Sequence, residues 1–255
     1  MDLPLRHPAD WRSFTAQLPA LLAGGDPGWT RGVGAQAALF GDAPTAHGGA
    51  WQPPEGWDEL GRLVAMHADD DRYARLLAFA RRLHREPGLW SDALDRDRRH
   101  LQGLARQVRR EIHKMHAFVR FRAVADELAP GGVRHVAWFK PAHHVLRAVA
   151  PFFVKRFAQH AWAILTPRGC LHWDGQRLTG AGPARCDEAP SQDAGEALWL
   201  TYYRSIFNPA RLKVAAMKKE MPVRYWAHLP EARVIGELVR EAPQREARMR
   251  RPRGG

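Results

Sequence analysis

The chain has 255 residues, of which 45% are hydrophobic and 26% charged, a balance that excludes a fibrous or wholly disordered chain and leaves room for one large domain or two modest ones. Its net charge is +12, and the six Arg and two Glu from Arg240 onward supply only +4 of it, so most of the surplus belongs to the body and points to an anionic partner, nucleic acid being the commonest, although a solubility device or a membrane-surface patch gives the same number. Two cysteines outside any CxxC spacing, no secretory leader and no apolar run of membrane-spanning length together read as a reduced cytoplasmic protein with no membrane partner and no thiolate zinc site.

Residues 1–55 hold one helix-like run at 11–22, then a Gly-rich stretch over 24–50 with linker chemistry at 43–54, so an N-terminal lobe or arm is expected there. Residues 56–242 form the expected core domain and 243–255 a disordered basic tail. Within the core, Leu60, Leu63 and Val64 mark one amphipathic helix, and Tyr73, Leu76, Leu77 and Ala80 a second. The third is the clearest: Ser91 or Asp92 offers an N-cap oxygen, and Leu101, Leu104, Val108, Ile112 and Met115 recur at three- and four-residue steps. Arg99, Arg106, Arg110 and Lys114 then fall on the opposite face as a positive stripe, which reads either as a solvated helix face or as a phosphate-binding surface. Asp92, Asp95 and Asp97 sit at the N-terminal end, where the helix dipole favours them.

The period then changes. Over 117–123, Val119, Phe121 and Ala123 alternate with Arg120 and Arg122, which predicts a strand with one apolar and one cationic face. A second strand is expected at 135–140 after the Pro130-Gly131-Gly132 turn. A helix follows over 142–157, with Leu146, Val149, Phe153 and Phe157 on one stripe and Pro151 breaking or kinking it. Further strands are read at 161–165 and at 170–173 paired with 176–178 across Asp174-Gly175. Beyond a loop over 180–192, Asp193 with Glu196 starts a helix, Asn208-Pro209 restarts one, and Met221-Pro222 and Leu229-Pro230 turn sharp corners. The fold class predicted is α+β, mainly helical, with a small central antiparallel sheet or hairpin.

The stretch 199–230 interleaves Trp199, Tyr202, Tyr203, Phe207 and Trp226 with Arg204, Arg211, Lys213, Lys218 and Lys219. One reading buries the rings and solvates the cations, as in any amphipathic helix. The other makes Trp199, Tyr203, Arg204, Arg211 and Lys218 a surface for phosphates and bases. With Arg106, Arg110, Lys114, Arg120 and Arg122 facing them, these residues would line a positive groove suited to single-stranded DNA or a flipped base.

With these segments laid out, the chain resembles the bacterial "probable DNA metabolism protein" family, a domain of unknown function found alone or fused ahead of a uracil-DNA-glycosylase-like domain that binds uracil-containing DNA. The stretches that carry the resemblance are VRREIHKMHAFVRFR (108–122), AWFKPAHHVL (137–146), PFFVKRF (151–157), ILTPRGCLHWDG (164–175) and EALWLTYYRSIFNPARLKVAAMKKEMPVRYWAHLPEA (196–232). The resemblance implies DNA as a partner, a place in DNA repair or metabolism, and partnership with a radical SAM repair or modification enzyme, beside which similar proteins are encoded. A uracil-DNA-glycosylase-like partner would act in trans, because no such domain follows residue 242. The resemblance carries over no catalytic residue and no cofactor.

Chemistry beyond binding has few candidates. His113 and His116 form an i, i+3 pair and His143-His144 another; four imidazoles could hold a metal if the helices met, but phosphate binding or helix C-terminal capping by His113 and Lys114 is the competing role, and no metal is expected. Asp174 suits either a general base or its own turn, and Glu196 and Glu220 suit exposed helix positions. No GxSxG, phosphate-binding loop or cysteine cluster is present, so radical SAM chemistry cannot reside in this chain. The expected function is a DNA-binding accessory protein. The alternatives are a self-standing base-repair enzyme, hydrolase or glycosylase-like, using His113, His143, Asp174 or Glu220, and a scaffold for an acidic protein.

Overall fold

The computed structural model describes residues 9–23, 51–127, 129–185, 218, 221–229 and 231–250. The chain divides into two compact units, Met1–His113 with Ala142–Ala148, and Lys114–Pro141 with Val149–Gly255.

The first unit is helical. Helix α1 (Trp11–Leu22) starts where the Asp10 carboxylate accepts the Ser13 N–H at 3.1 Å, and it buries Trp11, Phe14, Leu18 and Leu21, one stripe at helical spacing. That stripe packs on α2 (Trp57–Ala65) and α3 (Arg72–Arg85): Trp11 and Trp57 lie 6.1 Å apart, and Phe14 and Tyr73 5.2 Å apart. Arg72, 1% exposed, is satisfied by carbonyls, its Nε donating to Ala65 O at 2.9 Å and its Nη1 to Asp69 O at 2.8 Å. A short 3-10 turn (Pro87–Trp90) leads to α4 (Arg96–Phe118). The cap of α4 is neither Ser91 nor Asp92. Asp95 supplies it, accepting the Arg98 N–H at 2.8 Å through its side chain and the Arg99 N–H at 3.0 Å through its carbonyl, while Asp92 is used in a tight turn to the Leu94 N–H. Ser91 and Asp92 instead follow the 3-10 turn and close it, their N–H groups donating to Gly88 O at 3.0 Å and Leu89 O at 3.2 Å.

The second unit carries a five-stranded sheet in the order β1-β2-β3-β4-β5, with β1 Arg122–Ala125, β2 Val133–Trp138, β3 Ala161–Thr166, β4 Gly169–Trp173 and β5 Leu178–Ala181. The α+β class holds, but the sheet is mixed. β2 and β3 run parallel, because helix α5 (Leu146–Arg156) links them and a parallel pair needs such a crossover; the other pairings are antiparallel. All six residues of the central β3 are buried, the pattern of a strand covered on both faces. Pro151 lies inside α5 without ending it. The Asp174 turn closes a longer loop than expected: Trp173 pairs with Leu178, and β5 lies at 178–181 rather than 176–178.

The strand expected at 117–123 is the largest departure. α4 runs through Phe118, and Val119 N still bonds Met115 O at 3.2 Å in helical fashion. The strand begins only at Arg122, with Arg122 and Val124 half-buried and Ala123 and Ala125 exposed, so the arginine side is the covered one. Val119 and Phe121 are apolar for packing instead of pleating; Phe121 sits 5.2–6.0 Å from the rings of Phe153, Phe157 and Trp162. After a 3-10 turn at Val223–His228, α6 (Ala232–Arg250) buries Val234, Ile235, Leu238 and Ala242 and continues past residue 242, where an unstructured tail was expected. Among the described residues no helix is long and apolar enough to cross a membrane.

Candidate nucleic-acid interface

Helix α4 buries Leu101, Leu104, Ala105 and Val108 in the first unit. The row Arg96, Arg99, Gly103, Arg106 and Arg110 follows the same three- and four-residue steps on another face, and its four arginines are exposed. Among the described residues none of these four forms an ion pair. Arg109, between two of them, does, with Glu59 at 2.6 Å.

Arg96, Arg99, His100 and Arg106 open onto a groove of about 880 Å³ whose other walls include Arg75 on α3 and Leu94, 81% exposed, in the loop before α4. Among the described residues one acid lines it, Asp97, and that carboxylate is held by Arg82, which also pairs with Asp95 at 2.6 Å. Asp95 is kept below the usual carboxylate range first by the Arg98 N–H and then by Arg82, so the acids at this end of α4 are committed to capping and pairing. Among the described residues, the groove arginine with ion-pair partners is Arg75, with Asp69 at 3.2 Å and Asp71 at 3.7 Å. The result is a concave surface on which, among the described residues, Arg96, Arg99 and Arg106 form no ion pair, the arrangement that attracts phosphate.

The structure does not bring all the predicted binding residues to that surface. Arg106 lines the groove and Arg110 is exposed one turn further along α4. Lys114, which spacing puts on the outer stripe, is 5% exposed, with its ammonium 5.6 Å over the Phe118 ring. Arg120 is half-buried and bound to Glu231, and Arg122 is half-buried on β1. Lys218 is exposed, while Trp199, Tyr203, Arg204 and Arg211 lie outside the described residues. Sequence reasoning missed Arg75, Arg96 and His100 as groove residues. The signal for Arg96 was its place in the Arg99-Arg106 row; Arg75 reaches the groove only through the packing of α3 against α4.

The catalytic candidates do not form a metal centre: among the described residues no three His, Cys, Asp or Glu side chains cluster for one. In the first unit His143 is buried with its ring tilted against that of His67, centroids 4.2 Å apart, its Nδ1 accepting the Ala68 N–H at 3.2 Å, while His113 is exposed. In the second, His116 stacks on Phe152 at 4.1 Å. Asp174 accepts the Arg177 N–H at 2.7 Å and the Gln176 N–H at 2.8 Å, and these bonds, Arg177 first, hold its carboxyl below the ordinary value. Glu196 and Glu220 lie outside the described residues.

Fold and surface thus define an α+β protein with a cationic groove on one long helix. Residues 70–231 match the family described as a domain of unknown function, DUF4130, and the chain belongs to that family. The matched span includes the groove arginines and the whole sheet. No curated protein and no solved structure matches the chain.

Proposed function

We propose that this chain is a DNA-binding protein of DNA repair or metabolism, acting in the cytoplasm as an accessory to a radical SAM repair or modification enzyme or a uracil-DNA-glycosylase-like protein. The observation that supports DNA binding most is the row Arg96, Arg99, Arg106 and Arg110 beside the groove, which forms no ion pair among the described residues. At about 1.5 Å rise per residue the row extends roughly 20 Å, long enough to meet several successive phosphates, and each guanidinium can grip one bidentately. The repair context and the enzyme partner rest on the resemblance of 108–122, 137–146, 151–157, 164–175 and 196–232. The alternative of a base-repair enzyme working alone draws less support, since the Asp174 carboxylate is engaged by the Gln176 and Arg177 N–H groups of its own turn.

The test is fluorescence anisotropy of the full chain with single-stranded, duplex and uracil-containing oligonucleotides across a salt series. Binding whose logarithm falls steeply with the logarithm of salt supports the reading. Absence of binding to every oligonucleotide at low salt overturns it and turns attention to an acidic protein partner.

A further inference from the structure

Beside the cationic groove lies a second cleft of about 350 Å³, and the two share Gln102 and Arg106 in their walls. Their linings differ in kind. The larger has Arg75, Arg96, Arg99 and His100; the smaller has Leu60, Trp90 and the Glu59–Arg109 ion pair at 2.6 Å. A phosphate entering the smaller cleft would meet the Glu59 carboxylate and, in Arg109, an arginine already neutralised, with Arg106 at the boundary to the larger groove as its attraction. An uncharged, flat, hydrogen-bonding group would not be repelled there.

We infer that the smaller cleft receives one nucleobase of a single-stranded nucleic acid whose sugar-phosphate backbone lies in the larger groove. The inference rests on the DNA-binding reading of that groove. Trp90 supplies an aromatic face, and its orientation is set before any ligand arrives: the Trp57 ring meets it edge-on at 6.2 Å and the Arg98 guanidinium lies 5.7 Å over it. Gly56 brings bare backbone to the cleft wall. Its φ of +84° suits glycine, and a Cβ there would stand 3.5 Å from Trp90 Cζ2. The Gln102 amide, half-buried at the boundary between the clefts, offers both a donor and an acceptor, as a base edge requires. The volume lies in the range of small-molecule sites, about 300–1,000 Å³. A base still paired in a duplex could not enter it without leaving the stack. Arg106, in both walls, stands where the strand would pass from one to the other.

The experiment compares an oligothymidylate with a fully abasic strand of the same length, binding each to the full chain and to Gln102→Ala, Trp90→Leu, Trp90→Phe and Arg96→Gln/Arg99→Gln. The base-containing strand should bind about tenfold tighter, the size of one base–aromatic stack. Trp90→Leu should bring it towards the abasic level without changing abasic binding, Gln102→Ala should weaken the base-containing strand more than the abasic one, Trp90→Phe should keep most of the preference, and the arginine variant should weaken both strands. Gln102→Ala removes an amide from a helix surface that tolerates Ala, so it reports even if the Trp90 variants fail to fold. Equal binding of the two strands to the wild type, or equal weakening of both by Gln102→Ala, overturns the nucleobase site while salt-dependent binding keeps the groove reading intact. Failure of both strands to bind overturns both.

Discussion

Arg120 donates through Nη2 at 2.9 Å to the carboxylate of Glu231, 111 positions further along the chain and 3% exposed. The same guanidinium bonds Ala117 O at 2.7 Å through Nη1, so it joins the C-terminal end of α4 to the residue that precedes α6. In the sequence Arg120 is one more cation in a basic run; in the fold it is a structural residue.

Arg120→Ala therefore leaves Glu231 buried without this partner. A decrease in stability of about 1.5–3 kcal/mol is expected, because the variant removes a charge-assisted hydrogen bond from a buried carboxylate. Urea denaturation of the purified variant checks the value. A change under about 0.5 kcal/mol, the level of an exposed pair, would show that Glu231 is satisfied without Arg120.

Asp95 combines a helix cap with the Arg82 ion pair. Asp95→Ala should cost about 1–2 kcal/mol, and Asp95→Asn less because an acceptor oxygen remains. Since its folded pKa is lowered, the contribution of its charge is full above the unfolded value of about 4 and is lost as pH falls through that value towards the folded one. Denaturant unfolding between pH 7 and pH 3 should show wild type and Asp95→Asn converging at the acid end.

Two helical glycines should respond to alanine with opposite signs. A Cβ on Gly61 would overlap the Trp11 ring, buried between α1 and α2, whereas one on Gly103 would meet only the tip of Arg106 at 3.8 Å. Gly103→Ala should stabilise by about 0.5–1 kcal/mol through helix propensity. Gly61→Ala should destabilise by about 1–3 kcal/mol, overpacking exceeding the same propensity gain. Thermal melts of the two variants should move in opposite directions.

What was legible in the sequence follows from how local the determining physics is. The Leu101-Leu104-Val108 stripe fixes the buried face of α4 by spacing alone, and with it the exposure of Arg99, Arg106 and Arg110. Buried β3 and the Asp174 turn also announce themselves, since an apolar run and an Asp-Gly pair are short-range signals. Lys114 did not, because its burial depends on the aromatic neighbourhood of Phe118. Nor did the parallel β2–β3 pairing, which only the return of the chain through α5 decides. The alternation over 117–123 misled because Val119 and Phe121 serve ring packing, and period-two patterning cannot distinguish that from a pleat. Arg75 and Trp90 reach their clefts from α3 and the 3-10 turn, a juxtaposition of packing that no spacing encodes.

The central claim is that the arginine row of α4, rather than the overall positive charge, binds the nucleic-acid backbone. The direct measurement is the salt dependence of single-stranded DNA binding for the wild type, for Arg99→Gln/Arg106→Gln, and for Arg62→Gln/Arg156→Gln, which removes the same charge at exposed positions elsewhere. The account predicts that the first pair lowers the slope of log K against log salt by roughly 0.7 for each phosphate that is no longer neutralised, while the second leaves the slope near the wild-type value. Equal slopes for the two double variants would contradict it and assign the binding to net charge alone.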